Sequence, residues 1–297
     1  TGGMRKEGKM TEIIKNYRDN ALLRHSFNTL AEETFGLDFE AWYQNGFWGD
    51  DYNPYSIVKD GQVVANVSVN RTDFLCDGRI RHFLQLGTVM TKEAYRRRGC
   101  IRAIMEQIEA DYNGKTDGIY LFANDSVLDF YPRFGFRKSK EYQYSIQLRS
   151  TGACEYRHIA MDEPAAWQQL RRTMEHNVCH GRLDMTGNIG LPFFYLTGFM
   201  QGSVYCHAPS STYVVADRQG TELFLHHVFS DTLTELTEVL DLFGEEVRQV
   251  TLGFTPVHNP GDQAAELQEE DCTLFIKGRD LEIIEREKLR IPALAHA

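Results

Sequence analysis

The segment that decides the fold runs Val89-Met-Thr-Lys-Glu-Ala-Tyr-Arg-Arg-Arg-Gly-Cys-Ile-Arg-Ala-Ile-Met105. It follows a β-rich run, Arg81 to Met90, that predicts a strand. It leads into apolar residues at the spacing of one helix face. These are Ile101, Ile104, Met105, Ile108 and Tyr112. Gly118 to Asn124 is then short and apolar, which predicts a buried strand. Strand, helix and strand in this order predict a parallel crossover unit.

The turn between that strand and helix is basic and contains Gly99. A helix N-terminus offers backbone N–H groups and the positive end of its dipole, which together suit a pyrophosphate. A glycine lets the backbone approach such a ligand without a Cβ in the way. The turn and the first helical residues add four positive charges: Arg96, Arg97, Arg98 and Arg102. The turn therefore predicts an anion site, against the alternatives of a solvated basic turn or a nucleic-acid patch.

Composition limits these alternatives. The chain has 297 residues, and 32 basic against 42 acidic side chains give a formal charge of −10. Such a charge disfavours binding to nucleic acid, so we expect no nucleic-acid partner. No apolar run approaches the roughly 18–20 residues of a membrane span, so we expect no membrane association. Six scattered cysteines without a Cys-x-x-Cys pair favour a reducing, cytoplasmic location.

The length predicts two domains. The polar linker Ser150-Thr-Gly-Ala153 separates a predicted domain at 10–150 from a second predicted α/β domain at 154–297. In the first, Asp60-Gly61 and Asp77-Gly78 lie between β-rich runs and predict two hairpins. The second repeats the order strand, capped helix, strand, strand. This repetition indicates either an internal duplication or the order that any α/β domain shows.

Two motifs carry a resemblance to the GCN5-related N-acetyltransferase (GNAT) superfamily. The first is Arg/Gln-x-x-Gly-x-Gly/Ala, and this chain has Arg96-Arg-Arg-Gly-Cys-Ile101, with Ile in the last place. The second is Asn-x-x-Ala-x-x-Phe-Tyr-x-x-x-Gly-Phe. It is matched by Asn124-Asp-Ser-Val-Leu-Asp-Phe-Tyr-Pro-Arg-Phe-Gly-Phe136, with Val127 for Ala. The run Tyr-Arg-Arg-Arg-Gly-x-x-Arg-Ala is similar to the branch that contains the mycobacterial enhanced intracellular survival protein, whose GNAT-like domains are in tandem.

The resemblance implies an α/β fold with a mixed sheet, the GNAT fold, followed by a second, degenerate GNAT-like domain. The second domain has Phe229-Ser-Asp231 at the corresponding turn, where an acid replaces the basic residues, so we expect no cofactor site there. In the first domain the resemblance implies a site for acetyl-CoA as co-substrate. Its residues are Val89, Met90, Arg97, Arg98, Gly99, Cys100, Ile101, Arg102, Asn124 and Ser126.

The implied activity is acetyl transfer from acetyl-CoA to a primary amine by direct attack. Tyr131 is the implied general acid, because a hydroxyl near the thioester sulfur protonates the leaving thiolate. Ser126, with Asp129 three residues on, predicts the N-cap of a helix here, and the spacing of Tyr131 fits the buried stripe of that helix equally well. The sequence names no general base. A non-catalytic acetyl-CoA sensor is the alternative function.

The acceptor is a small-molecule or peptide amine that the sequence does not identify, and a homo-oligomer is left open. Trp48 and Asp51 lie in an aromatic and acidic loop that would suit a cationic amine. The other interpretation of the loop is a core-anchored segment with solvated acids. His176, Cys179 and His180 have helical spacing but no fourth ligand nearby, so we expect no metal.

Overall fold

The computed structural model describes residues 12–258 and 264–297. These residues form two compact units. The first comprises residues 12–70 and 86–114, and the second comprises residues 71–85, 115–258 and 264–297. The chain passes between the units inside two long strands, Gln62–Cys76 and Arg79–Thr91. The first two residues of the predicted domain at 10–150 lie outside the described residues.

The first unit combines strands in the order β1-β2-β3-β4 with three helices. Its hairpin prediction is confirmed, because Asp60 and Gly61 both have positive φ angles, 51° and 75°, between paired strands. The strands are β1 (Ile13–Lys15), β2 (Tyr52–Lys59), β3 (Gln62–Cys76) and β4 (Arg79–Thr91), the last two shared with the second unit. The helices are α1 (Ala21–Phe35), α2 (Glu40–Gln44) and α3 (Cys100–Tyr112), and α3 buries the predicted stripe of Ile104, Met105 and Ile108.

The second unit is larger and contains two sheets. Its helices are α4 (Pro164–Glu175), α5 (Gly190–Leu196), α6 (Leu236–Asp241) and α7 (Ile283–Arg286). Besides the ends of β3 and β4, its strands are β5 (Gly118–Ala123), β6 (Arg137–Lys138), β7 (Tyr142–Gln147), β8 (Arg157–His158), β9 (Leu183–Thr186), β10 (Val204–His207), β11 (Thr212–Gln219), β12 (Glu222–Phe229), β13 (Gln249–Leu252), β14 (Ala264–Glu266) and β15 (Thr273–Lys277).

The strand orders confirm a mixed α/β fold. Within the second unit the first sheet has the order β9-β3-β4-β5-β15-β6, and the second has β14-β7-β13-β12-β11-β10-β8. In the second sheet β12 and β13 run parallel, whereas the other recorded pairs are antiparallel. Buried residues from four strands and α6 form the core of this sheet, including Val214, Leu225, Val250 and Leu252.

The two sheets exchange strands across the predicted linker. β7, which precedes the linker, pairs with β13 in the second sheet, with Ile146 opposite Val250. β15, near the end of the chain, pairs with β5 in the first sheet, with Phe275 opposite Leu121. Neither sheet is therefore built from one side of residue 150 alone, and the division of the sequence into 10–150 and 154–297 stays a prediction.

Candidate cofactor and catalytic site

The basic turn lies in the first unit between β4 and α3. A short 3₁₀ turn, Glu93–Tyr95, follows the strand, and Gly99 caps the helix with left-handed angles, φ 78° and ψ 8°. The first helical hydrogen bond runs from the Ala103 N–H to the Gly99 carbonyl at 3.0 Å. The N–H groups of the preceding helical turn have no carbonyl within the helix to accept them, so they are directed out of its end. Gly99 is thus required for its backbone conformation.

The side chains of this turn present positive charge to solvent. Arg96, Arg97, Arg98 and Arg102 are all exposed. The Arg98 guanidinium lies 5.4 Å from the centre of the Tyr95 ring, and the Arg96 Nε donates to the Thr91 carbonyl at 3.3 Å. The Cys100 thiol donates to the Tyr95 carbonyl at 3.8 Å, so this cysteine contacts the turn itself. The arrangement combines the helix dipole with side-chain charge, as an anion site needs.

Strand β4 is irregular just before this turn. Thr88 has a φ of 48°, and Val89 and Met90, the residues implied to bind the pantetheine arm, follow directly. A β-branched residue in the left-handed region is strained at a cost of roughly 1–3 kcal/mol. The Tyr52 hydroxyl lies 2.7 Å from the Thr88 hydroxyl, and the Asn66 amide donates to the Thr88 carbonyl at 2.9 Å.

Sequence reasoning did not single out Tyr52, Asn66 or Thr88. The sequence signal that could have indicated them is the alternation of apolar and polar residues in β3, where Asn66 and Ser68 share the face opposite Val67. Both faces are buried, because Val67, Asn66 and Ser68 are all 0% exposed. Buried polar groups need hydrogen-bond partners, so polar residues at period two in a buried strand indicate a side-chain network. Burial also raises the pKa of Tyr52 to about 12, so its hydroxyl keeps its proton.

The second motif lies in the second unit, directly after β5. The helix predicted from Ser126 is wrong, because the chain forms two 3₁₀ turns, Asp125–Val127 and Tyr131–Phe134. Pro132 explains this, since it lacks an N–H and disfavours helical angles in the residue before it. Asn124 precedes the first turn, and both Asn124 and Ser126 are exposed.

Tyr131 is buried in an aromatic setting, with 6% of its surface exposed. Its ring centre lies 5.3 Å from that of Phe130, 5.7 Å from that of Phe275 and 6.3 Å from that of Phe136. Burial raises the pKa of the Tyr131 hydroxyl to about 12. Burial accounts for this shift, with no hydrogen bond from the described residues among its causes. The side chain is therefore both a core residue and a neutral proton donor at ordinary pH.

The predicted substrate loop is mostly core. Trp48 is 3% exposed and donates from its indole nitrogen to the Tyr52 carbonyl at 3.0 Å. Its ring packs against those of Phe27, Trp42 and Tyr52, with centres 5.4–5.7 Å apart. Asp51 is half-buried. The interpretation of Trp48 as a core anchor therefore describes the structure, and we do not carry Trp48 into the proposed site.

The described residues were also compared with what a metal site and a membrane-spanning helix require. Across residues 12–258 and 264–297, no three His, Cys, Asp or Glu side chains are grouped as metal ligands. His180, from the predicted metal pattern, is buried beside Asp184, whose carboxylate accepts the backbone N–H of His180 at 3.1 Å. None of the helices in these same residues has the length and hydropathy of a membrane span.

Comparisons with known proteins agree with this architecture. Residues 20–139 match the family described as an acetyltransferase (GNAT) domain. Curated proteins give no significant match. Among solved structures, the chain is similar to a probable N-acyltransferase from Enterococcus faecalis V583, with 14% identity and a TM-score of 0.60 over 91% of this chain and 72% of that chain.

Two other solved structures are similar. Eis1 from Mycobacterium abscessus has 14% identity and a TM-score of 0.56, over 89% of this chain and 72% of that chain. A GCN5-related N-acetyltransferase from Kribbella flavida has 17% identity and a TM-score of 0.51, over 91% of this chain and 72% of that chain. At these identities the likeness concerns the fold, and it extends well beyond residue 139. Residues 20–139 therefore match the acetyltransferase (GNAT) domain family, while the likeness of fold covers most of the chain.

Proposed function

We propose that this protein is an acetyl-CoA-dependent N-acetyltransferase that acts on a primary amine. The observation that carries the proposal is the turn at residues 96–102, where left-handed Gly99 opens helix α3 beside exposed arginines. Backbone N–H groups and positive charge at one turn suit an anion, and they stand out in a chain whose net charge is −10. A diphosphate linked to a nucleotide, as in coenzyme A, supplies the matching ligand.

The residues proposed to hold acetyl-CoA fall into three groups. The backbone N–H and C=O groups of Val89 and Met90 would hydrogen-bond the pantetheine arm, as they would an adjacent β-strand. The first-turn N–H groups of α3, from Cys100 and Ile101 onward, would take the diphosphate with the charges of Arg97, Arg98 and Arg102. Asn124 and Ser126, both exposed after β5, are the third group. The types of these residues fit the co-substrate.

The proposed chemistry is direct transfer. The nitrogen of a neutral amine forms a bond to the acetyl carbon, and the bond from that carbon to the thioester sulfur breaks. The sulfur leaves as a thiolate and takes the proton of the Tyr131 hydroxyl. The amine nitrogen releases one proton to a base or to water, and a proton from solvent restores the tyrosine. Because the pKa of Tyr131 is raised to about 12, its hydroxyl is protonated throughout the pH range in which amines and thioesters react. No covalent intermediate on the protein is needed.

A panel of primary amines tests the proposal. The protein is incubated with acetyl-CoA and each amine (polyamines, aminoglycosides, amino-acid amides and short peptides), and free thiol is measured. Coenzyme A affinity is measured in parallel by calorimetry. Thiol release that depends on one class of amine supports the transferase. Coenzyme A binding without turnover on any amine would favour the sensor, and absence of binding would refute both.

A further inference from the structure

Strand β4 contains a conformation that its own sequence does not favour. Thr88 has a φ of 48°, inside a strand that is otherwise extended from Arg79 to Thr91. Threonine is β-branched, and for such residues the left-handed region is a genuine outlier. An outlier of this kind persists only when surrounding groups hold it. The groups that hold Thr88 therefore control the backbone of the residues that follow it.

Two side chains, from β2 and β3, contact the hydroxyl and the carbonyl of Thr88. Tyr52, the first residue of β2, places its hydroxyl 2.7 Å from the Thr88 Oγ1. Asn66, in the middle of β3, donates from its Nδ2 to the Thr88 carbonyl at 2.9 Å. The carbonyl that the irregular conformation turns out of the strand is thus satisfied by a side chain.

The Asn66 amide is itself fixed by a directed network. Its Oδ1 accepts from the Ser56 hydroxyl at 2.8 Å, and its Nδ2 donates to the Ser68 hydroxyl at 2.9 Å. Because Ser56 donates to Asn66, the Tyr17 hydroxyl, 2.7 Å away, must donate to Ser56. Ser56, Asn66 and Ser68 are all 0% exposed, so water does not compete for these bonds. The network runs from Tyr17 to Thr88.

We propose that Tyr52 and Asn66 are positioning residues for acetyl-CoA. They hold Thr88 in its left-handed conformation and so present the Val89 and Met90 peptide groups to the pantetheine arm. The inference rests on the proposed function, since it assigns a role within the same site. Neither residue needs to touch the co-substrate. Their effect reaches it through two peptide bonds of strand β4.

The test uses Tyr52→Phe, which removes the hydroxyl that contacts Thr88 and that also hydrogen-bonds to Ser68 of the same network. Tyr55→Phe is the matched control, because Tyr55 lies on the same strand and donates to the Asp111 carboxylate at 2.9 Å. Amide hydrogen exchange of residues 87–91 and coenzyme A affinity are measured for both variants. We expect Tyr52→Phe to speed exchange and to weaken coenzyme A binding, each by about three- to tenfold, as the loss of one hydrogen bond predicts. Tyr55→Phe should change neither.

A glycine at position 88 provides a second part of the same test. Glycine adopts the left-handed conformation without support, so Thr88→Gly should bind coenzyme A even when Tyr52 is replaced. Adding Tyr52→Phe to Thr88→Gly should therefore change affinity by less than twofold, a non-additive result. The inference would be overturned if Tyr52→Phe lowered coenzyme A affinity equally in the wild type and in Thr88→Gly. Unchanged amide hydrogen exchange of residues 87–91 in Tyr52→Phe would also overturn it.

The exchange measurement separates this inference from the proposed function. If the wild-type protein does not bind coenzyme A, the proposed function fails, and the role toward the co-substrate fails with it. Exchange of residues 87–91 then still shows whether Tyr52 holds Thr88. If the wild type binds coenzyme A and Tyr52→Phe binds equally well, only the positioning role is refuted.

Discussion

The Asp271 carboxylate accepts a hydrogen bond from the Asp125 N–H at 2.9 Å, across 146 residues of sequence. Asp271 precedes β15, and Asp125 opens the first 3₁₀ turn after β5. Strand β15 pairs with β5, with Thr273 opposite Ala123, so the ladder sets these two aspartates side by side. The turn that leads to Tyr131 is therefore held by a residue near the other end of the chain.

This contact predicts that Asp271→Ala loosens the segment from Asn124 to Tyr131. The variant loses an acceptor for a backbone N–H, so we expect turnover to fall by about three- to tenfold, the worth of one hydrogen bond. Asp271→Asn retains an acceptor oxygen and should keep most of the activity. Steady-state kinetics on both variants check this. Equal activity of Asp271→Ala and the wild type would show that the contact has no role in catalysis.

Tyr131→Phe should lower kcat by about 10²–10⁴-fold, the usual contribution of a general acid. No hydrogen bond from the described residues contributes to the pKa of its hydroxyl, so the melting temperature should stay within a degree or two of the wild type. Tyr144→Phe is the control, since it removes a buried hydroxyl that donates to the Lys288 carbonyl at 3.1 Å. Tyr144→Phe should lose stability and keep kcat. A Tyr131→Phe variant with normal kcat would exclude Tyr131 as the acid.

Gly99→Ala should weaken coenzyme A binding by about fivefold or more. The φ of 78° disfavours any residue with a Cβ, although there is space for one, since nothing lies within 4 Å. Gly61→Ala carries the same backbone strain, with a φ of 75° and no atom within 4 Å, in the turn between β2 and β3. Calorimetry should therefore show reduced affinity for Gly99→Ala alone. An equal loss of coenzyme A affinity in Gly99→Ala and Gly61→Ala would instead indicate a general destabilisation of the protein.

Replacing Arg97 and Arg98 together by Gln should weaken coenzyme A binding by about three- to tenfold. The charges are exposed, so each contributes modestly, and the loss should shrink as salt is added. Arg149→Gln, another exposed arginine, serves as the control. Affinity measured at low and high ionic strength checks the prediction. A loss that is independent of salt would contradict a role through charge.

Glu141 should make folding stability depend on pH. Its side chain is 5% exposed, and burial raises its pKa from 4.5 to about 7, while one oxygen accepts the Ile291 N–H at 2.8 Å. The folded protein thus keeps this proton between pH 4.5 and 7, where the unfolded chain releases it. Its contribution to stability is complete below pH 4.5 and is lost as pH rises through 7, by roughly 3 kcal/mol.

Glu141→Gln should remove that dependence, because the amide does not titrate and still offers an acceptor oxygen to Ile291. Urea denaturation of the wild type and of Glu141→Gln is measured from pH 4.5 to 8. The difference between their free energies of unfolding at each pH gives the contribution of Glu141. Glu163→Gln, an exposed position, should follow the wild type. A constant difference between wild type and Glu141→Gln across this range would show that Glu141 ionises normally.

The hairpin turns and the main helices could be predicted from sequence because their causes are local. Asp-Gly between strands strongly favours two positive φ angles, which Asp60 and Gly61 adopt, and the stripe of α3 follows from spacing alone. The helix expected from Ser126 failed for a local reason too, since Pro132 interrupts it. The sequence also placed Gly99 at the helix start, where its left-handed angles are needed.

The sequence by itself therefore determined the basic strand-turn-helix unit, both hairpins and the GNAT resemblance, because each can be recognised from short runs of consecutive residues. Tertiary structure alone decided that Tyr52 and Asn66 hold Thr88, that Asp271 holds Asp125, and that β7 and β15 exchange sheets. These depend on strand order and register. A single strand's pattern shows which face is buried but not which strand lies beside it.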